Sequence, residues 1–271
     1  MQESGARITT PKRFSLNEGS NFPAGWTSDS QSVIFISTGA GTSGVFKQRL
    51  NSEIVETILP SLGPSRGESI TPDGKWLVYL TDTTTQDPGT RILMRLSTAG
   101  GNAQPVLAGR LWDISCAQSP TSYCLLAEAS TDSRHLTLSA LDPLRGRLRE
   151  SCRMNATHVA LSPDGTRVAL FDGQSSIRIL SLSDERVREF SLKGWTDAED
   201  VTWAVDGQGL YISSLTKAGA VLLYSDLNGR TKLLWEHRGG LAVRGIPSPD
   251  GRHLAIEGWN LGSNVWMMEN F

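Results

Sequence analysis

A short turn motif that recurs six times constrains this chain more than any other feature of its sequence. Each copy has an apolar residue, a turn built around Asp, and then an apolar run; five clear copies cover 26–36, 70–79, 161–170, 203–212 and 246–256. A sixth, degenerate copy at 117–126 has Thr121 in the Asp position. The anchor positions, 42 to 48 residues apart, are 29, 73, 121, 164, 206 and 250. Repeats of about 40–50 residues are typical of the blades of β-propellers.

Each repeat predicts four β-strands, which we designate A to D. Strand A ends at the turn, where Pro fixes φ and Gly accepts a positive φ, and strand B is the apolar run that follows. Alternating segments predict strand C over 45–50, 92–96, 136–141, 177–182, 221–227 and 265–268. Shorter polar segments predict the outermost strand D over 54–59, 105–108, 187–192 and 231–235. The segment 147–152 also fits a short basic helix, but its place in the repeat favours strand D.

The two ends of the sequence complement each other. The last repeat stops after its strand C, while residues 12–16 resemble the strand D segment 188–192. An N-terminal strand at about 12–17 would complete the last blade, and this closure would remove open sheet edges. The sequence therefore predicts an all-β fold with one domain over residues 1–271: a complete six-bladed β-propeller with four antiparallel strands per blade.

The composition argues against several classes of protein. The formal net charge of -2 argues against a nucleic-acid-binding face, and the hydrophobic fraction of 38% argues against a disordered chain. No segment approaches the roughly 18 apolar residues of a membrane span, and the N-terminus lacks the apolar region of a secretory signal. We therefore expect no nucleic-acid partner for this domain and no membrane span in this chain. The location stays open: periplasmic if a membrane span precedes the domain, otherwise cytoplasmic.

The repeat also carries a family resemblance. The Ser-Pro-Asp-Gly-x-x-Leu/Val-Ala/Val pattern resembles the WD40-like repeat of TolB-type propellers, found also in prolyl-oligopeptidase relatives, over essentially the whole chain. The segments 193–195, 203–207, 245–256 and 263–271 resemble the C-terminal propeller of large acidobacterial regulators, which follows a winged-helix or serine/threonine kinase domain. The resemblance implies a sensory or protein-binding module of a bacterial signalling or transcription regulator. It implies no catalytic residue.

Residue types that often carry catalysis or bind metals are present without the usual spacing. No calcium-binding loop, nucleophile elbow or phosphate-binding loop occurs. Asp in the repeated turns normally bonds to nearby backbone N–H groups, and this structural role is expected for Asp73, Asp164, Asp206 and Asp250. The four His residues are scattered. We predict no catalytic residue, metal or cofactor, although a metal role for His158 and His237, both near a strand A, stays open.

Two cysteines flank the degenerate third turn. Cys116 and Cys124 fall on strands A and B of one predicted hairpin, where a loop of about three to five residues can place them opposite one another. A disulfide between them would indicate an oxidising compartment and would leave Cys152 over. The alternative is a pair of small buried thiols.

The tryptophans divide into two groups. Trp26 and Trp203 occupy equivalent strand A positions and are predicted to pack between blades. Three others are predicted in D-to-A or B-to-C loops at one end of the ring, where propellers usually bind and where Trp and Arg favour a binding role. The predicted binding residues are Trp112, Asp113, Trp195, Asp197, Trp259, Arg66 and Arg238, and the same loops carry Glu68, Glu199 and Asp200. The alternative is that each Trp caps its own blade.

Three functional hypotheses follow. The first is a non-enzymatic propeller that binds a protein, peptide or glycan at its channel mouth, as a module of a larger regulator. The second is an enzyme of the lyase or lactonase type with its active site in the channel. The third is an envelope scaffold of the TolB type.

Overall fold

Six four-stranded antiparallel sheets, arranged in a ring, make up the structure. The computed structural model describes residues 10–14, 20–38, 43–83, 89–118, 123–132, 135–171, 176–195, 197–259 and 264–269. In these residues the secondary structure consists of 24 β-strands, and no helix that could cross a membrane is found there. The predicted six-bladed β-propeller is confirmed.

The strands follow the predicted order in every blade. The chain begins with β1 (Lys12–Arg13), which belongs to blade 6. Blade 1 comprises β2 (Ser20–Trp26), β3 (Ser32–Thr38), β4 (Gly44–Arg49) and β5 (Val55–Leu59). Blade 2 comprises β6 (Ser65–Ile70), β7 (Trp76–Asp82), β8 (Arg91–Ser97) and β9 (Gln104–Gly109). Blade 3 comprises β10 (Leu111–Cys116), β11 (Cys124–Ala129), β12 (Leu136–Asp142) and β13 (Gly146–Met154).

The second half of the ring repeats this arrangement. Blade 4 comprises β14 (His158–Leu161), β15 (Arg167–Phe171), β16 (Ser176–Ser181) and β17 (Val187–Ser191). Blade 5 comprises β18 (Ala198–Trp203), β19 (Gly209–Thr216), β20 (Gly219–Asp226) and β21 (Thr231–Arg238). Blade 6 comprises β22 (Ala242–Pro247), β23 (His253–Trp259), β24 (Asn264–Glu269) and the N-terminal β1. The segment 147–152 lies within β13, so strand D is correct there and a helix is not.

Over the described ranges, the core consists of six apolar clusters, one at each contact between neighbouring blades. Both faces of a strand B are therefore buried, which explains why these strands are continuous apolar runs instead of alternating ones. In β3, for example, Val33 and Phe35 face blade 6, while Ile34 faces blade 2. Each blade thus depends on both neighbours to bury its apolar surface.

The repeated Asp residues organise the turns between strands A and B. In blade 4 the Asp164 carboxylate accepts hydrogen bonds from the Ser162 hydroxyl at 2.6 Å and from the Thr166 backbone N–H at 3.0 Å. Gly165 has a φ of 72°, which the absence of a side chain makes accessible. The degenerate anchor Thr121 lies outside the described residues.

Two tryptophans join neighbouring inner strands as predicted. Trp26 and Trp203 are 4% and 3% exposed. The Trp26 indole N–H donates to the Ile246 carbonyl of blade 6 at 2.9 Å, and that of Trp203 donates to the Ala160 carbonyl of blade 4 at 2.8 Å. Each therefore packs against the preceding blade and also binds its backbone.

The ring is closed by β1. Lys12 pairs with Met267 and Arg13 with Trp266 on β24. The strand is shorter than predicted, and residues 15–17 of the predicted closing strand lie outside the described residues. Phe14, 9% exposed, follows β1 directly and packs in the cluster between blades 6 and 1. The N-terminal segment thus contributes both sheet pairing and core packing to the closure.

Candidate functional site

The six strands A surround a central channel, and the residues that the structure describes line two adjoining cavities in it. One cavity of about 390 Å³ is lined by residues of all six strands A and of the turns that follow them. The other, of about 270 Å³, lies toward the end of the ring where strands A begin, and it is lined by Arg66, Gly67, Trp112, Asp113, His158, Asp200 and Arg244. Asp113, Asp200 and Arg244 line both cavities. We refer to the second cavity and these seven residues as the channel mouth.

Arg244 is the central cation of the channel mouth. It lies on β22, and its Nε is 2.9 Å from Oδ2 of Asp200 on β18. Both side chains remain partly exposed, 33% for Arg244 and 28% for Asp200, because they face the channel space. Burial opposes the charged form of Arg244, but the surrounding carboxylates, with Asp200 foremost, outweigh it and raise the pKa of Arg244.

Asp113 is enclosed without such a contact. Its Oδ1 accepts a hydrogen bond from the Ile114 backbone N–H at 2.8 Å. Burial raises the pKa of the Asp113 carboxyl to about 6, although the positive charges of Arg244 and His158 act in the opposite direction. Asp113 therefore gains or loses its charge near neutral pH, unlike an ordinary surface carboxylate.

Irregular strand pairing accompanies three of the channel carboxylates. The register of β10 against β11 shifts between Leu111 and Asp113, and that of β18 against β19 shifts between Ala198 and Asp200. In β6 a shift brackets Glu68, whose Oε1 accepts a hydrogen bond from the Ser65 hydroxyl at 3.0 Å. A β-bulge re-aims the side chains beside it, and Glu68, Asp113 and Asp200 all line the larger cavity.

A fourth carboxylate lies behind Arg244. Glu257 on β23 is the cross-strand partner of Arg244, so the two side chains share one face of blade 6. Burial raises the pKa of Glu257 to about 7; Arg244 lowers this pKa, and the negative charges of Asp200 and Glu68 raise it further. Within the described part of the chain, Glu257 makes no hydrogen bond and no ion pair within 4.0 Å.

The enclosed charges do not balance. Four carboxylates surround one guanidinium, and only Asp200 contacts it. At the rim Arg66 lies 3.9 Å from Asp82, with a side chain that is 55% exposed. The four carboxylates outnumber these two guanidinium groups, so the surroundings of Arg244 have an excess of negative charge that favours a positively charged ligand group.

The structure brings together three of the seven predicted binding residues. Trp112, 41% exposed, lies beside Asp113 and Arg66 at the cavity, and its indole N–H donates to the Thr157 carbonyl at 2.6 Å. The prediction that Trp112 lies in a loop is wrong, because it is the second residue of strand β10. Trp112 is itself the extra residue of the irregularity between Leu111 and Asp113, so local sequence does not distinguish this strand start from a loop.

The other four predicted residues do not line either cavity. Trp195 is half-buried against the cluster between blades 4 and 5, and Asp197 has a φ of 56° in the loop before β18. Trp259 is 42% exposed, and it is the last residue of strand β23, so its predicted loop location is also wrong: it still pairs with Ala242. Arg238 ends the outermost strand β21 and lies 3.3 Å from Glu236.

The two histidines considered as metal ligands lie apart. His158 begins β14 at the channel mouth, whereas His237 is on the outermost strand β21, with its ring 5.0 Å from that of Trp235. Burial lowers the pKa of His237. Among the residues that the structure describes, no group of three or more His, Cys, Asp or Glu side chains is arranged to hold a metal ion.

Arg244 and Glu257 are not among the residues predicted from the sequence, and Asp200 was predicted only as a general loop charge. The repeat itself does indicate Asp200 and Arg244. The residue six positions before the anchor Asp is His158 in blade 4, Asp200 in blade 5 and Arg244 in blade 6. Charged or polar residues at one repeat position of an inner strand indicate that this position faces the channel.

The cysteine pair forms a bridge in the structure. Cys116 and Cys124 are directly opposite one another on β10 and β11, and a disulfide joins them. Cys116 also lines the larger cavity. Cys152 is a free, half-buried thiol, and burial raises its pKa.

Comparison with known proteins identifies the fold. No family model matches this chain, and no curated protein matches it in sequence. TolB from Acinetobacter baumannii is similar in structure, with a TM-score of 0.61 and 14% identity over 89% of this chain and 64% of that one. A candidate TolB from Agrobacterium tumefaciens gives a TM-score of 0.60 and 14% identity over 93% of this chain and 90% of that one. The fold is that of TolB-like six-bladed propellers.

Another similar structure is named as an enzyme. Oligogalacturonate lyase from Vibrio parahaemolyticus gives a TM-score of 0.56 and 11% identity, over 97% of this chain and 86% of that one. The chain spans just under two thirds of the length of the Acinetobacter TolB. At these identities the similarity concerns the architecture, and the chemistry must be argued from the channel mouth itself.

Proposed function

We propose that this protein is a non-enzymatic binding module that takes up a peptide segment of a partner protein at the channel mouth. The observation that carries the proposal is the enclosed and unbalanced charge cluster around Arg244, next to the exposed ring of Trp112. Enclosed charges without partners cost stability, and proteins retain such costs mainly at functional sites. A bound ligand of opposite charge would offset this cost.

The charges favour a peptide over a neutral glycan. A peptide offers both cationic groups and backbone acceptors, whereas a neutral sugar presents hydroxyl groups without charge. The aromatic ring of Trp112 at the rim is of the residue type that dominates protein and peptide interfaces. The resemblance to regulator propellers and the structural similarity to TolB both support a binding module, as the sensory part of a larger regulator or as an envelope scaffold.

A selection experiment tests this function. The full chain is immobilised, and peptides are selected from a randomised library with free amino ends. We expect enriched peptides whose affinity falls at least tenfold in Asp113→Asn and in Trp112→Ala. Arg186→Ala is the control, because this side chain is 86% exposed on blade 4, outside the channel. Thermal melting checks that each variant is folded.

Two outcomes would contradict the binding function. One is a library that yields no peptide enriched above a blank surface. The other is a set of peptides that bind the wild type, both channel variants and the control equally, since these peptides bind elsewhere. A glycan array probed in parallel would show whether a sugar is taken up instead.

The alternative is an enzyme centred in the channel. Asp113 and Glu257 have pKa values of about 6 and about 7, a range suited to general acid–base catalysis. A lyase is among the proteins of similar architecture. Conversion of oligogalacturonate to an unsaturated product by the wild type, lost in Asp113→Asn and kept in Arg186→Ala, would favour this alternative over the binding module.

A further inference from the structure

The guanidinium of Arg244 has hydrogen-bond donors without acceptors at the channel mouth. An Arg side chain presents five N–H donors. Nε lies 2.9 Å from Asp200 Oδ2, but its N–H is not aligned in a hydrogen bond. In the part of the chain that the structure describes, neither Nη group donates to a protein acceptor. These donors are available to an acceptor that the ligand brings.

A carboxylate is available beside these donors. Asp113 binds only the Ile114 N–H through Oδ1, and none of the described cations lies within 4.0 Å of it. Asp113 and Arg244 line both cavities, so they face the same space. A ligand placed there would contact both a carboxylate without an ion-pair partner and a guanidinium with unused N–H donors.

Resting on the proposed binding function, we propose that the channel mouth takes up the free amino terminus of a peptide. Its ammonium group lies against the carboxylates of Asp113 and Asp200, and its first carbonyl oxygen accepts hydrogen bonds from the Arg244 guanidinium. In a peptide amino terminus only two carbon atoms, Cα and the carbonyl carbon, separate the ammonium nitrogen from this acceptor oxygen. A lysine side chain or a polyamine offers the ammonium group without the adjacent carbonyl.

Trp112 extends the site toward solvent. Its ring is held in place by the hydrogen bond to the Thr157 carbonyl, while 41% of the residue stays exposed at the rim. A fixed aromatic ring offers a contact surface at low entropic cost. The side chains that follow the amino terminus would pack on this ring as the peptide leaves the channel.

Binding should have a pH optimum. Below about pH 6 Asp113 becomes protonated and loses its attraction for a cation, and above about pH 8 the ammonium of the ligand is lost. The affinity is therefore expected to be highest between these values and to fall on both sides. The charged and titratable groups around Asp113 are Arg66 and Glu68 on β6, His158 on β14, Asp200 on β18, Arg244 on β22 and Glu257 on β23.

Three small probes test the proposal by NMR titration of the full chain at pH 7: trialanine amide, N-acetyl-trialanine amide and butylamine. Trialanine amide should bind, and acetylation should weaken binding at least tenfold, because it removes the ammonium. Butylamine should bind more weakly than trialanine amide because it lacks the carbonyl. Asp113→Asn should weaken the binding of both amines, whereas Arg244→Lys should weaken that of trialanine amide alone.

The outcomes separate this proposal from the function on which it rests. If library peptides bind at the channel but acetylation of their amino ends changes nothing, amino-terminal recognition is wrong and peptide binding stands. If butylamine binds as strongly as trialanine amide, a cation alone is recognised and the role given to Arg244 is wrong. If neither the library nor trialanine amide yields binding, both proposals fail. Arg186→Ala is again the folded control, and it should bind like the wild type.

Discussion

Glu257 shows how the channel charges act on the stability of the folded chain. Its carboxyl is enclosed beside Arg244, and its pKa is raised from 4.5 to about 7. The folded state therefore binds this proton more tightly than the unfolded state does. The stabilisation is complete below about pH 4.5 and is lost as the pH rises through about 7. At pH 8 the enclosed charge is expected to cost up to about 3 kcal/mol.

This charge is tested by the variant Glu257→Gln. Removing the ionisable group should raise the free energy of unfolding by about 2 kcal/mol at pH 8 and change it little at pH 4.5. Urea unfolding at the two pH values measures the difference. Glu189→Gln, on the exposed strand β17, is the matched control and should change neither value. If Glu257→Gln changes the free energy of unfolding equally at both pH values, ionisation of Glu257 does not destabilise the folded chain.

At this scale the sequence allowed part of the site to be predicted. Asp113, Trp112 and Arg66 were found from residue type and approximate position. Their grouping with Arg244 depends on which inner-strand residues face the channel, and bulges change that direction in blades 2, 3 and 5. A bulge inserts one residue without a fixed sequence signature. Side-chain direction at these positions is therefore a property of the folded sheet.

The strands themselves were more predictable than the side-chain directions. Their apolar runs and turns mark where each strand exists, but the length of a strand also depends on its partner. The outermost strand β21 continues to Arg238, beyond the predicted end at 235, because β20 extends to Gly219 and pairs with it there. Gly219 has a φ of 137°, and a Cβ atom added there would lie 2.3 Å from the His237 carbonyl oxygen, so only Gly fits this close pairing.

The hairpin of β10 and β11 carries a testable covalent constraint. The Cys116–Cys124 disulfide closes a short segment, with a sequence separation of 8. In the chain-entropy account, such a loop stabilises the folded state by about 2 kcal/mol. The double variant Cys116→Ser, Cys124→Ser should therefore lower the free energy of unfolding by about this amount in urea unfolding. Reductant should have a similar effect on the wild type.

The third cysteine provides the control for this experiment. Cys152→Ser keeps the bridge, so its unfolding should respond to reductant as the wild type does. The double variant should not respond to reductant. A wild-type chain that unfolds identically with and without reductant would contradict a stabilising bridge in this hairpin.

The stability of the whole ring depends on contacts between blades. Each of the six core clusters combines side chains from two neighbouring blades. A blade without one neighbour would expose an apolar face, and the contact between blades 6 and 1 joins segments that are far apart in the sequence. The closing pairs Lys12–Met267 and Arg13–Trp266 and the burial of Phe14 therefore stabilise the ring as a unit.

Deletion of residues 1–17 tests this closure. It removes β1 and the buried Phe14. Replacing a buried Phe by Ala lowers the free energy of unfolding by about 3–5 kcal/mol. Since about 1 kcal/mol shifts Tm by roughly 2–4 °C for a domain of this size, we expect a fall of about 10 °C or more in thermal melting. Phe14→Ala should reproduce most of this fall, whereas Lys12→Ala, whose side chain is exposed on β1, should cause almost none. If the truncated chain has the same Tm as the intact chain, the interface between blades 6 and 1 is stable without β1 and Phe14, and the closure model is wrong.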